Sequence, residues 1–129
     1  MKLIITYIMA LAIFLFIDFF WLRYAAKTMY DNQIGFLLKE KFNLTAAFIF
    51  YIFFIIGLVF FVISPAGSWQ FAFLAGLFFG ALTYGTYDMT NLATLKDWPL
   101  KLTIIDIIWG SFICGITSVL TYLLINLIY

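Results

Sequence analysis

The sequence predicts an all-α integral membrane protein, a four-helix bundle in which residues 1–129 form one domain. Composition is the first reason, because 67% of the residues are apolar or aromatic and 10% are charged, whereas soluble domains carry about 25% charged residues. Charge spacing is the second reason. The few charges separate apolar stretches, each long enough to cross the hydrocarbon core of a bilayer, which takes about 20 residues.

Four membrane spans are predicted, at about residues 3–22, 42–64, 69–95 and 102–127. No charged residue occurs between Phe42 and Tyr87, which is too long a stretch for one crossing and suits a hairpin of two. Turn-forming residues, Ser64-Pro65-Ala66-Gly67-Ser68, divide that stretch. Trp69 and Trp98 occupy positions typical of interfacial anchors.

The basic residues predict the orientation of the chain in the membrane. Six of the seven Lys and Arg residues lie in two links between spans, namely Arg23, Lys27, Lys39 and Lys41 in the first and Lys96 and Lys101 in the second. Basic residues in short loops favour the cytoplasmic side. We therefore expect a multi-pass protein with both termini outside the cytoplasm, and a short interfacial helix in the first link around Ile34 and Phe36–Leu38.

Several classes of function are disfavoured by composition. The chain has no His and one cysteine, Cys114, so a disulfide framework and a cysteine-clustered metal site are excluded. Any metal would need oxygen ligands alone, and we predict neither a metal site nor a cofactor. The net charge of +1 is too small for a nucleic-acid interface.

Three acids lie inside the predicted spans: Asp18, Asp88 and Asp106. At ~1.5 Å per residue they fall roughly 7, 12 and 7 Å from the basic links, all in one half of the membrane. Intramembrane acids face the protein interior, pair with another group or take up a proton. We expect the three to share a cavity, although a purely structural role as hydrogen-bond acceptors is an open alternative for each.

Aromatic and polar residues share helix faces with these acids. Tyr84, Tyr87 and Asn91 lie on the same helical face as Asp88, and an Asp-x-x-Trp pattern occurs at Asp18 and again at Asp106. The predicted ligand-binding residues are Asp18, Trp21, Tyr51, Tyr84, Tyr87, Asp88, Asn91, Asp106 and Trp109. No catalytic residue is assigned.

The stretch from Tyr84 to Leu95, followed by Trp98-Pro99, resembles the signature of a family of small bacterial membrane proteins known as a domain of unknown function. The resemblance covers nearly the whole chain and includes Asp18 with Trp21, the pair Phe50-Tyr51, and Asp106 with Trp109-Gly110. It implies a four-helix protein of the bacterial inner membrane and no particular activity.

Three functions are compatible with these residues. The first is a pocket facing the cytoplasm that binds a small amphipathic, cationic or lipid-like ligand. The second is a proton-coupled transporter of small molecules that uses Asp88. The third is a lipid-modifying enzyme with an Asp pair as acid and base, although no Ser or Cys nucleophile lies beside a base. Membrane lipids are the expected surroundings, and because four short helices enclose little volume, a homodimer is compatible with the sequence.

Overall fold

The computed structural model describes all residues from 1 to 129 and consists of helices joined by short links. Helix α1 (Lys2–Phe20) continues through a π-helical turn (Trp21–Ala26) into α2 (Lys27–Ile34) and a short 3₁₀ turn (Gly35–Leu37). Helix α3 (Leu44–Leu58) ends in a second π-helical turn (Val59–Ile63), and α4 (Trp69–Thr94) and α5 (Leu100–Ile128) complete the chain. The fold is therefore all-α, with four helical runs.

Three of the four runs begin and end within two residues of the predicted spans, and the first is much longer. No Gly or Pro interrupts the chain between Trp21 and Ile34, so the helix continues through the basic link until Gly35. The expected separate interfacial helix is consequently absent. Ile34 ends α2 as a buried residue, and Phe36, Leu37 and Leu38 follow it as exposed residues.

Local side chains define where the later helices begin. Asn43 caps α3 by accepting a hydrogen bond from the Ala46 amide at 3.1 Å, and Ser68 caps α4 by accepting one from the Phe71 amide at 3.1 Å. Such caps satisfy amides that a helix leaves free at its first turn. In the link before α5, Asp97 has a φ of 60°, a conformation in which Asp and Asn are several-fold enriched.

Helices α4 and α5 form the closest contact in the bundle. A Cβ added at Gly76 would lie 2.7 Å from the Cys114 carbonyl oxygen, and one at Gly80 would lie 2.8 Å from the Ser111 Cα. The Ser111 hydroxyl also donates to the Leu77 carbonyl at 2.8 Å. Small residues at helix contacts allow backbones to approach in membranes, so α4 and α5 pack backbone against backbone.

The main core lies where α1, the second half of α3 and α5 meet. It contains Ala10 and Phe14 from α1, Ile113 and Cys114 from α5, and a set from the α3 run: Phe54, Ile55, Leu58, Val59, Val62 and Ile63. The first half of α3 contributes nothing to it, because residues 39–50 are all exposed. That half of α3 thus stands apart from the bundle.

The exposure of large apolar side chains on the outer surface agrees with a membrane environment. Large apolar side chains such as Phe16, Phe53 and Phe78 are exposed on the outside of the bundle. By length and composition, three helical runs are apolar enough to cross a membrane: Lys2–Leu37, Leu44–Ile63 and Leu100–Ile128. Helix α4 has a sufficient 26 residues, but its Gly, Thr, Tyr and Asp residues make it more polar.

Candidate functional site

All three intramembrane acids point into the protein. The exposed fraction of the side chain is 6% for Asp18, 1% for Asp88 and 7% for Asp106. A carboxyl in apolar surroundings loses its hydration, and this cost must be offset by hydrogen bonds, a partner charge or a proton. The three acids differ in the hydrogen bonds they receive, which separates their roles.

Asp18 is fully engaged by neighbouring side chains. Its Oδ2 accepts a hydrogen bond from the Tyr51 hydroxyl at 2.8 Å, and its Oδ1 accepts one from the Trp109 indole N–H at 3.4 Å. The Trp109 ring stacks on Trp21 with 4.3 Å between ring centroids and 8° between planes. These four residues, named here the Asp18 cluster, join α1, α3 and α5.

The π-helical turn Trp21–Ala26 begins immediately after the helical turn that carries Asp18. A π turn adds a residue to the helical repeat, so it changes the direction of the side chains that follow it, and such turns are frequent at functional sites. The buried residue after Asp18 is accordingly Ala26, while Ala25 is exposed. The turn also begins at Trp21, which lies against Trp109.

Asp88 and Asp106 form a second acidic group, between α4 and α5. Asp106 Oδ1 accepts a hydrogen bond from the Tyr30 hydroxyl of α2 at 2.7 Å. Neither carboxyl oxygen of Asp88 receives a hydrogen bond from a donor group in the structure, and the Asp106 carboxyl lies within hydrogen-bonding reach of it. Asp88 is thus a buried acid with no donor directed at it.

The Asp88–Asp106 pair lies in the wall of a cavity of about 1050 Å³. Tyrosines 30, 51, 84 and 87 surround the acids, and Lys27 and Asp31 are the other charged residues in the wall. The remaining wall is mainly apolar, formed by Leu22, Ile34, Leu38, Phe42, Phe50, Phe54, Trp98 and Leu102 with Thr83 and Thr86. Since Phe42 and Phe50 are also exposed outside the bundle, the cavity opens sideways beside α3.

The structure divides the nine predicted site residues into two groups. Five of them line the cavity: Tyr51, Tyr84, Tyr87, Asp88 and Asp106. The others, Asp18, Trp21, Asn91 and Trp109, lie outside its wall. Asp18 therefore does not share the cavity with the other two acids, contrary to our expectation, because its carboxyl is held by Tyr51 and Trp109, of which only Tyr51 lines the cavity.

Most of the wall was not among the predicted site residues, and three of the unpredicted residues, Tyr30, Lys27 and Trp98, carry polar side-chain groups of interest. Tyr30 and Lys27 belong to the basic link, which charge alone marked as lying outside the membrane spans. The sequence feature that could have placed Tyr30 and Lys27 in the bundle is the absence of any Gly or Pro before Gly35, which allows one continuous helix. Trp98 had been assigned to the membrane interface, but it is buried at 8% exposure, donates to the Thr103 hydroxyl at 3.0 Å and meets the Tyr87 ring edge-on.

A smaller cavity, of about 630 Å³, lies at the opposite end of the bundle. It is lined by Lys2, Leu3, Thr6, Ile63, Ser64, Ala66, Gly67, Tyr122, Ile125 and Asn126. Along α1 and α5 the buried residues Phe14, Ile113 and Cys114 lie between the two cavities. The structure contains no group of three or more His, Cys, Asp or Glu side chains placed to hold a metal ion.

The fold and the buried acids define a small helical membrane protein with polar groups inside its apolar bundle. The family model described as "Predicted membrane protein (DUF2177)" matches residues 3–123, and the chain belongs to this family. No curated protein and no solved structure matches it in the corresponding comparisons. The family description gives no activity, so function is argued from the cavity.

Proposed function

We propose that the protein binds a small amphipathic ligand in the larger cavity, with a cationic head at Asp88. The observation that carries this proposal is the state of Asp88, which is 1% exposed, lies in the cavity wall and has no hydrogen-bond partner. An unpaired buried acceptor costs roughly 1–3 kcal/mol, and a cationic ligand removes this cost. Intramembrane acids retained at such a cost mark functional sites.

The rest of the wall suits the remainder of such a ligand. Tyr51, Tyr84 and Tyr87 supply aromatic rings near the acids, and ring faces attract cations. Leu38, Phe42 and Phe50 supply an apolar surface in the same wall. Ligand sites combine a mainly apolar wall with a few polar groups that orient the ligand, which is the arrangement found here.

The binding experiment uses purified protein in a mild nonionic detergent, with decylammonium and decanoate as probes of similar chain length and opposite charge. We expect decylammonium to bind and to raise the melting temperature, because only the cation complements Asp88. Asp88→Asn should weaken decylammonium binding by about tenfold or more, which is about 1.4 kcal/mol.

The matched control is Asp97→Asn, which makes the same chemical change at a link residue outside the cavity wall, in a backbone conformation that Asn also adopts. This variant should bind decylammonium as the unaltered protein does. Equal affinities for the two probes, or an undiminished affinity in Asp88→Asn, would contradict the proposal.

The proposal includes an orientation in which the larger cavity faces the cytoplasm of a bacterial cell and both termini lie outside. It rests on the six basic residues in the two links at the cavity end. With Cys114 replaced by Ala, an impermeant maleimide applied to intact cells should label a Ser68→Cys protein, and should label a Lys39→Cys protein only after permeabilisation. The opposite pattern would place the cavity on the outer side.

A second candidate function, proton-coupled transport of a cation, is favoured by the presence of a cavity at each end of the bundle. Between the core and the smaller cavity, the hydroxyls of Thr117, Ser118 and Thr121 are buried without partners. Alternate opening of the two cavities would expose these polar groups in turn. Proton release from liposomes on addition of tetraethylammonium, absent in Asp88→Asn, would favour transport over binding alone.

A further inference from the structure

We propose that the ligand is a phospholipid whose head group carries a primary ammonium beside its phosphate, with the ammonium at Asp88 and Asp106 and the phosphate at Lys27. This inference rests on the proposed function and specifies the class of ligand. It follows from the number of free acceptors at the acid pair, the position of the one basic residue in the wall, and the sideways opening of the cavity.

The acid pair offers acceptors that match a primary ammonium. Both oxygens of Asp88 lack a partner, and Asp106 accepts the Tyr30 hydrogen bond at Oδ1 and none at Oδ2. A primary ammonium has three N–H donors, as in a lysine side chain, whereas a quaternary ammonium has none. A choline head group would satisfy the charge here but would leave these oxygens without hydrogen bonds.

Lys27 is placed to meet the phosphate of the same head group. It lies three residues before Tyr30 on α2, and residues at this spacing are neighbours on one helix face. Since Tyr30 bonds to Asp106, Lys27 lies about one helical turn along α2 from the residue that contacts the acid pair, in the same cavity wall. Lysine is a common phosphate ligand. Asp31, the remaining charged wall residue, is exposed like Lys27, so solvent and salt weaken its repulsion of a phosphate that contacts the Lys27 ammonium directly.

The cavity also has room and an opening for acyl chains. Its volume of about 1050 Å³ is at the upper end of the range for drug-sized ligands, which exceeds what a head group alone requires. The opening beside Phe42 and Phe50 is lined by residues exposed on the outside of the bundle. A lipid can therefore place its head at the acids while its chains leave through this opening.

The test compares dioctanoyl phosphatidylethanolamine, phosphatidylcholine and phosphatidylglycerol, which have identical chains, by native mass spectrometry of the detergent-purified protein. We expect the ethanolamine lipid to bind about tenfold or more tighter than the other two. Asp88→Asn should remove this preference. Lys27→Gln should weaken the ethanolamine and choline lipids alike, and it should not weaken the binding of decylammonium, which has no phosphate.

The control for Lys27→Gln is Lys39→Gln, at an exposed lysine that is outside the cavity wall. It should change none of these affinities. Equal binding of the ethanolamine and choline lipids, or tighter binding of the glycerol lipid, would overturn the inference while decylammonium binding would still support the proposed function. Loss of decylammonium binding in Lys27→Gln would overturn the phosphate assignment. If neither decylammonium nor any lipid binds, both proposals fail.

Discussion

Replacing Gly80 with alanine should destabilise the folded protein by about 2–3 kcal/mol, the upper part of the usual range for overpacking. The added methyl group would meet the Gly110 carbonyl and lie 2.8 Å from the Ser111 Cα. These are backbone atoms of α5 and cannot turn aside as a flexible side chain would. The two helices would have to separate, which would also weaken the Ser111–Leu77 hydrogen bond. Thermal unfolding in detergent measures the effect.

The same helix provides a matched control in Gly85→Ala. A Cβ at Gly85 would come no closer than 4.0 Å to Ile107 Cδ1, so the methyl group has space. Alanine has a higher helix propensity than glycine, by about 1 kcal/mol. Gly85→Ala should therefore leave the melting temperature unchanged or raise it. Equal losses at positions 80 and 85 would show that close α4–α5 packing is not the cause.

Leucine at position 18 should destabilise the protein strongly, whereas leucine at position 88 should not. Asp18→Leu would leave the Tyr51 hydroxyl and the Trp109 indole N–H without their acceptor, and each such loss costs about 1–3 kcal/mol. Asp88→Leu leaves no tyrosine, tryptophan or amide donor without its acceptor and removes a carboxyl that faces another carboxyl. Thermal unfolding of both variants gives the comparison, and decylammonium titration of Asp88→Leu should show loss of binding despite a stable fold.

Asp18→Asn is the control for Asp18→Leu. Its amide oxygen retains one acceptor, so its loss of stability should be smaller than that of Asp18→Leu.

The expected effect at Asp88 is the opposite of what its neighbours in the sequence suggest. Tyr84, Tyr87 and Asn91 share the helical face of Asp88, which suggests them as its partners, but none of them bonds to its carboxyl. A large loss of stability in Asp88→Leu would mean that such partners exist.

The positions of the helices were predictable because each apolar stretch is bounded by charges or by turn residues. Ser64 to Ser68 separates α3 from α4, and Leu95 to Pro99, which includes the charges Lys96 and Asp97, separates α4 from α5. Burial of the acids was also predictable, because a carboxyl facing acyl chains is too costly. The resemblance to a family of small membrane proteins is confirmed by the match over residues 3–123.

The partition of the acids between two sites was not predictable. Helical periodicity gives the face on which Asp18 lies but not which helix it meets, and it assumes a regular repeat. The π turn after Phe20 breaks that repeat. In a regular helix Ala25 would lie two turns from Asp18 on the same face, but the buried alanine is Ala26. Tyr30 reaches Asp106 across 76 residues, and no local pattern signals a contact over that separation.

Helix α3 is held by the bundle along one half only, and this unequal attachment affects how the cavity behaves in a bilayer. From Phe54 onward the helix contributes to the core, but residues 39–50 are exposed and contact the surrounding membrane or water rather than protein. The width of the opening beside Phe42 and Phe50 is thus limited on one side by a helix with little protein behind it. Lateral pressure and acyl-chain packing in the bilayer act directly on that helix, so we expect the lipid composition of the membrane to change the width of the opening, and with it the proposed binding, even through lipids that never occupy the cavity.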